Sequence, residues 1–232
     1  MKKYLWLVFI VIVLVGLSIM LFQIYRGDRI DQYAPVVSNT EGQVDQNINP
    51  EVTGADETTP INSLDNKKVM NATLKTNKGD IKIEFFATDA PKTVENFTKL
   101  ASSSFYNGVR FHRVIKGFMI QGGDPLSKDD SKASMWGTGG PGYKFADEID
   151  ANSDLYTKVG YKKGIVAMAN SGPNTNGSQF FIMHADYPLP PLYTIFGKVV
   201  AGQSVVDAIA LVKTGPNDRP LDPITIESIT LE

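Results

Sequence analysis

Apolar positions change their spacing twice along this chain, and those changes divide it into three parts. Residues Tyr4 to Ile24 are apolar except for Ser18 and Gln23. Lys2 and Lys3 precede the run, and Arg26, Asp28 and Arg29 follow it. A helix rises ~1.5 Å per residue, so about 20 such residues cross a ~30 Å hydrocarbon layer. Tyr4, Trp6 and Tyr25 stand near the ends, where interfacial aromatics belong. The run is longer than a signal peptide's apolar region and stays bulky through Met20, Leu21 and Phe22. It therefore reads as an uncleaved membrane anchor over 1–29, with one transmembrane helix at about 4–25; a cleaved signal peptide is the alternative. The basic N-terminus points to the cytoplasm, which puts the rest of the chain on the extracytoplasmic side.

Residues 30–68 are rich in Asn, Asp, Gln, Thr, Glu and Pro, with isolated apolar positions and no sustained period. Such a stretch cannot bury enough apolar surface to offset its ordering entropy. It is predicted to be a flexible polar linker.

Residues 69–232 behave differently. Ala72–Thr76 alternates, Asn77-Lys78-Gly79-Asp80 reads as a turn, and Ile81, Ile83 and Phe85 alternate again, which predicts a β-hairpin with one buried face. Asp89 and Pro91 signal a helix start, with Val94, Phe97, Leu100 and Ala101 on its apolar face. Strands are predicted at Val109–Val114, Phe118–Gln121, Ile165–Asn170, Gln179–His184 and Tyr193–Val200. Ser204-Val205-Val206-Asp207 reads as a capping-box start to a second helix. A closing strand holds Ile224, Ile226, Ile229 and Leu231, with an irregularity between Ile226 and Ile229. Many short strands and two helices fit a closed barrel; periodicity alone also admits a sandwich.

Composition narrows the chemistry. The chain has 232 residues, a formal net charge of −2, no Cys and two His. That argues against bulk nucleic-acid binding, and it excludes disulfides, thiolate metal sites and a Cys nucleophile. A multi-His metal site is not expected. Gly137-Thr138-Gly139-Gly140-Pro141-Gly142 fits a dinucleotide-loop pattern, but no helix pattern follows it, so no nucleotide is expected. His112 should face away from Arg113 on a strand, with Phe111 on the arginine's side. His184 has no evident partner.

Two runs concentrate the remaining chemistry. Phe111-His112-Arg113-Val114-Ile115-Lys116-Gly117-Phe118-Met119-Ile120-Gln121-Gly122-Gly123-Asp124 could join an apolar floor to a cation and an amide. Met168-Ala169-Asn170-Ser171-Gly172-Pro173-Asn174-Thr175-Asn176-Gly177-Ser178-Gln179-Phe180-Phe181-Ile182 carries a turn-rich loop between apolar strands. Together with Ile195–Val199 and the helix start at Pro91, these runs closely resemble the cyclophilin family of peptidyl-prolyl cis–trans isomerases over about Val69 to Glu232.

The resemblance implies a mainly β fold, a closed eight-stranded antiparallel β-barrel capped by two α-helices. It implies isomerisation of X–Pro bonds in proline-containing polypeptides, with no metal or organic cofactor, in the service of protein folding at or outside the cytoplasmic membrane. By the same resemblance Arg113 is the catalytic residue. Phe118, Met119 and Phe181 fall on the proline pocket, with Leu189 a further pocket residue. Gln121 and Gln179 lie near the peptide backbone, Ala169 and Asn170 line the substrate groove, and Tyr193 takes a position that holds His in many eukaryotic members. Those members also carry a Trp shortly before the Ile195 strand; its absence from Asp186–Thr194 implies weak cyclosporin binding.

Overall fold

The computed structural model describes residues 71–232. The anchor expected at about 4–25 and the linker expected over 30–68 lie outside the described residues. Among the described residues no helix is long and apolar enough to cross a membrane.

Strands β1 (Asn71–Thr76) and β2 (Gly79–Phe85) form the expected antiparallel hairpin. Ala72, Leu74 and Thr76 are buried on one strand, Ile81, Ile83 and Phe85 on the other, which is the period-2 burial of a sheet with one face inward. Gly79 takes φ +122°, and the Thr76 hydroxyl donates to its carbonyl at 2.6 Å, tightening the turn.

Helix α1 (Pro91–Ser102) starts at the predicted proline and buries Val94, Phe97, Leu100 and Ala101. Its N-cap, Ala90, supplies no side-chain acceptor. Glu148 serves instead: its carboxylate accepts from the Lys92 N–H at 3.0 Å, the Thr93 N–H at 2.8 Å and the Thr93 hydroxyl at 2.7 Å. A distant anion thus satisfies the unpaired donors of the first turn and complements the helix dipole.

The remaining strands are β3 (Arg113–Ile115), β4 (Met119–Gly122), β5 (Ile165–Met168), β6 (Phe180–Met183), β7 (Ile195–Ala201) and β8 (Ile226–Leu231). They join the hairpin in one eight-stranded sheet of order β3-β4-β6-β5-β7-β2-β1-β8, antiparallel at every ladder. The irregularity expected in β8 is present: Thr76 pairs with Ile226 and Lys75 with Ser228, so Glu227 is the extra residue of a bulge.

The closed barrel requires a correction, because no ladder joins β3 to β8. The strand predicted over Val109–Val114 is cut to Arg113–Ile115. Ahead of it, Gly108 N–H donates to the Ile226 carbonyl at 2.8 Å, Phe111 N–H to Ile224 at 2.9 Å, and Ile226 N–H to Val109 at 2.8 Å. The sheet curls into a half-barrel whose two ends meet only through this short irregular seam. The departure also overturns the expected side-chain parity. Phe111 packs in the interior against Phe180, centroids 6.3 Å apart, while Arg113 stays on the outer face.

Helix α2 (Gln203–Ala210) corrects the expected capping box. Its N-cap is Gly202 at φ +83°, with no side-chain cap, and Ser204 lies inside the first turn. A Cβ at Gly202 would stand 2.1 Å from the Asp80 carbonyl oxygen, so the close approach to β2 requires glycine there. Short 3-10 turns at Pro125–Lys128, Asp130–Met135 and Pro216–Asp218, and a π turn at Leu155–Val159, carry no periodicity that marks them in the sequence.

The interior is aromatic. Phe97 from α1 meets Tyr106 at 5.1 Å, Phe196 at 5.4 Å and Phe180 at 5.5 Å between ring centroids. The Tyr106 hydroxyl donates to the Ser178 carbonyl at 3.1 Å, and burial pushes its phenol pKa up.

Candidate active site

Register on β3, β4 and β6 sorts the side chains into two layers. Val114, Ile120, Ile182 and Val166 stand opposite one another and join the interior core. The next row, Arg113, Gln121, Phe181 and Ala167, points to the other face. There a second apolar cluster gathers Met119, Phe181 and Ile195 with Phe118, Ala169, Leu189 and Tyr193 packed against it. β5 and β6 are therefore buried on both faces, which is why they read as continuous apolar runs.

All three residues expected to hold a prolyl ring through the first two runs, Phe118, Met119 and Phe181, are in this cluster, as are Leu189 and Tyr193. Met119 is 1% and Phe181 5% exposed, so the floor is apolar and closely packed. The Phe181 and Tyr193 rings meet edge to face at 5.5 Å. Three tyrosines that the sequence reading did not single out frame the cluster. The Tyr161 hydroxyl donates to the Tyr193 carbonyl at 2.8 Å and accepts from the Tyr193 N–H at 3.1 Å. The Tyr156 hydroxyl accepts from the Ile195 N–H at 3.0 Å, and burial pushes its phenol up to about 12. Tyr187 lies against Phe118 with centroids 4.5 Å apart, at the rim where no Trp is present.

Polar groups run along one edge of this floor. Arg113 Nη1 is 3.4 Å from Gln121 Oε1, and the Gln121 amide donates to Gln179 Oε1 at 3.0 Å. The Gln179 amide in turn donates to the carbonyls of Gly137 at 3.0 Å and Gly139 at 2.8 Å. Beyond it opens a groove of about 490 Å³, lined by Gln121, Gln179, Ala169, Asn170 and the 137–144 loop. Asn170 spans the turn, donating to the Leu192 carbonyl at 2.8 Å and accepting from the Gly172 N–H at 3.2 Å. The structure thus brings every predicted site residue to one face.

The glycine loop has an internal explanation. Asp124 is fully buried, and its carboxylate accepts from the backbone N–H groups of Leu126, Gly137 and Gly139 at 2.7, 2.5 and 3.2 Å. A Cβ on Gly139 would fall 2.0 Å from Asp124 Oδ1. The loop's amides wrap a carboxylate of the chain itself, the same backbone chemistry that elsewhere cradles phosphate.

Both histidines lie close by. His112 is buried behind Arg113, and burial, opposed by the Asp124 charge, pulls its imidazole pKa down. His184, for which the sequence showed no partner, accepts the Gly117 N–H on Nδ1 at 3.0 Å and places Nε2 3.8 Å from Asp207. It ties down the turn that presents Phe118. Among the described residues no group of three or more His, Cys, Asp or Glu is placed to hold a metal ion.

Comparison with known proteins agrees with this geometry. Residues 71–231 match the family model described as cyclophilin-type peptidyl-prolyl cis-trans isomerase. A peptidyl-prolyl cis-trans isomerase of Arabidopsis thaliana is 50% identical over 163 residues, covering 70% of this chain and 96% of the relative. The peptidyl-prolyl cis-trans isomerase A of Mycobacterium tuberculosis is 50% identical over 178 residues, covering 69% and 91%. A crystal structure of a cyclophilin-type isomerase from Cryptosporidium parvum, solved in the presence of the dipeptide Ala-Pro, superposes with a TM-score of 0.61 at 37% identity, covering 70% of this chain and 98% of that one. The chain belongs to the cyclophilin-type peptidyl-prolyl cis-trans isomerase family.

Proposed function

We propose that this peptidyl-prolyl cis-trans isomerase turns X–Pro bonds over the outer face of β4 and β6, with Arg113 as its catalytic residue. The observation that carries the reading is one cross-strand row, in which Gln121 stands between Arg113 and Phe181. That row sets a guanidinium at the edge of the apolar cluster of Met119, Phe181 and Phe118.

A peptide bond resists rotation because the nitrogen lone pair is delocalised into the carbonyl, with a barrier of ~18–20 kcal/mol. No bond must break. The enzyme must bind the twisted amide better than either planar form. Phe118, Met119, Phe181, Leu189 and Tyr193 hold the pyrrolidine ring. Arg113 donates to the amide, whose nitrogen regains its lone pair on twisting and accepts a hydrogen bond only then. Gln121, Gln179, Ala169 and Asn170 hold the flanking chain in the groove while the other side rotates. The Ala-Pro present with the Cryptosporidium relative supports proline-containing polypeptides as the substrate class.

Exchange NMR on an Ala-Pro peptide, with the full chain in detergent, tests the assignment. A charge-assisted hydrogen bond contributes about 1.5–3 kcal/mol, so Arg113→Ala is expected to slow exchange by about 10- to 150-fold. Unchanged exchange would remove Arg113 from the mechanism.

We also place the isomerase domain outside the cytoplasm, tethered through residues 4–25 and the polar stretch 30–68, where it assists folding of exported chains. The apolar run and its basic flank support this reading. External protease on intact cells should digest the domain; protection until lysis would overturn the placement.

A further inference from the structure

The loop before β8 brings a carboxylate to the proposed catalytic guanidinium. Asp218 Oδ2 lies 3.6 Å from Arg113 Nε, with the two side chains 50% and 43% exposed. An ion pair this exposed adds little to folding stability, ~0–1 kcal/mol. Yet the backbone that presents it is costly. Asn217 and Asp218 are consecutive residues at φ +61° and +55°, a region unfavourable to side chains with a Cβ and best tolerated by Asn and Asp. Such conformations persist where the surroundings over-determine them.

Arg219 provides that constraint. Its guanidinium lies 4.2 Å from the Trp136 ring centroid and donates through Nη2 to the Ala133 carbonyl at 2.5 Å. Arg110 meets the same ring at 5.1 Å and is itself held by Asp130. The Gly215 N–H donates to the Arg219 carbonyl at 2.8 Å, closing the loop on itself. Arg113, Gln121, Trp136, Asp218 and Arg219 all line one cavity of about 390 Å³.

We propose that Asp218 is a positioning residue for Arg113, held in place by the Arg219–Trp136 clamp. Asp218 engages Nε and Gln121 engages Nη1. Among the described residues Nη2 has no hydrogen-bond partner, so the two contacts steady the guanidinium and leave a donor for the twisted amide. The proposal rests on Arg113 being the catalytic residue. Asp218 does not touch the substrate in this scheme. It reduces the rotamer freedom that a long, half-exposed side chain must lose to reach the transition state.

The test is a double-mutant cycle in the full chain, read by exchange NMR on the Ala-Pro peptide. Asp218→Asn removes the charge and keeps the shape; Asp218→Gly removes the side chain and suits positive φ. Both are expected to lower kcat by about 5-fold, the kinetic equivalent of a strong exposed ion pair, with KM unchanged. Neither is expected to slow Arg113→Ala further. Side-chain ¹⁵Nε relaxation of Arg113 should show greater mobility in both variants. A slow Arg113→Ala beside a fully active Asp218→Asn overturns the positioning role alone. An equal Asp218 effect in the Arg113→Ala background also overturns it, showing a merely structural loop. A fully active Arg113→Ala overturns the catalytic assignment itself.

Discussion

Gln121 donates its side-chain amide to Gln179 at 3.0 Å, and this contact joins the arginine end of the site to the glycine loop. On one side Gln121 receives Arg113; on the other Gln179 reaches the carbonyls of Gly137 and Gly139. Each amide uses its oxygen toward the arginine and its nitrogen toward the loop, so the direction of donation is uniform along the relay.

Gln179→Ala cuts this relay at two points. Loss of one net hydrogen bond's worth of substrate alignment, about 1 kcal/mol, should lower kcat/KM by about 5- to 10-fold, mainly through KM because the groove wall is freed. Steady-state exchange at several peptide concentrations checks this; an unchanged KM would show that the loop holds its shape without Gln179.

Gly139→Ala should be strongly destabilising, by about 2 kcal/mol or more, because the new Cβ would lie 2.0 Å from a buried carboxylate oxygen. Gly140→Ala meets nothing within 4 Å and should stay within about 0.5 kcal/mol of the parent. Urea unfolding of the two variants separates a requirement for this one glycine from a general need for loop flexibility.

His112 should make stability fall with acidity. Burial holds its folded-state pKa below the unfolded value of about 6.5. As pH drops through about 6.5 the unfolded chain takes up the proton first, so the stability present above that pH is progressively lost toward the folded-state pKa. Urea midpoints at about pH 7.5 and 5.5 should differ more for the parent than for His112→Gln. Equal differences would assign the acid sensitivity elsewhere.

Much of the fold was legible in the chain because alternation and turn chemistry are local. The β1–β2 hairpin, the helix from Pro91 and the bulge in β8 all follow from spacing that neighbouring residues impose. The candidate site was legible for another reason: Arg113, Gln121 and Phe181 sit in two unusual runs whose resemblance to a family implies their roles, and the structure brings them into one cross-strand row. The misread elements depend on distant partners. Residues 108–111 do not extend β3 but bond to 224–226, far along the chain, through a single antiparallel bridge. The second helix begins at a glycine pressed against β2, and the first helix, which starts at Pro91 as expected, takes its cap from the distant Glu148, which no local pattern marks.

By itself, then, the sequence determined which segments alternate, where the chain must turn and which residue types could form a prolyl pocket, since those properties reside in single residues and their near neighbours. Only the tertiary structure decided that the sheet stays a half-barrel with its ends tied by a short irregular seam, that Tyr156, Tyr161 and Tyr187 frame the apolar cluster, and that Asp218 faces Arg113. Each of these joins residues remote in sequence, and such pairs come together only when packing of the whole sheet sets their distance.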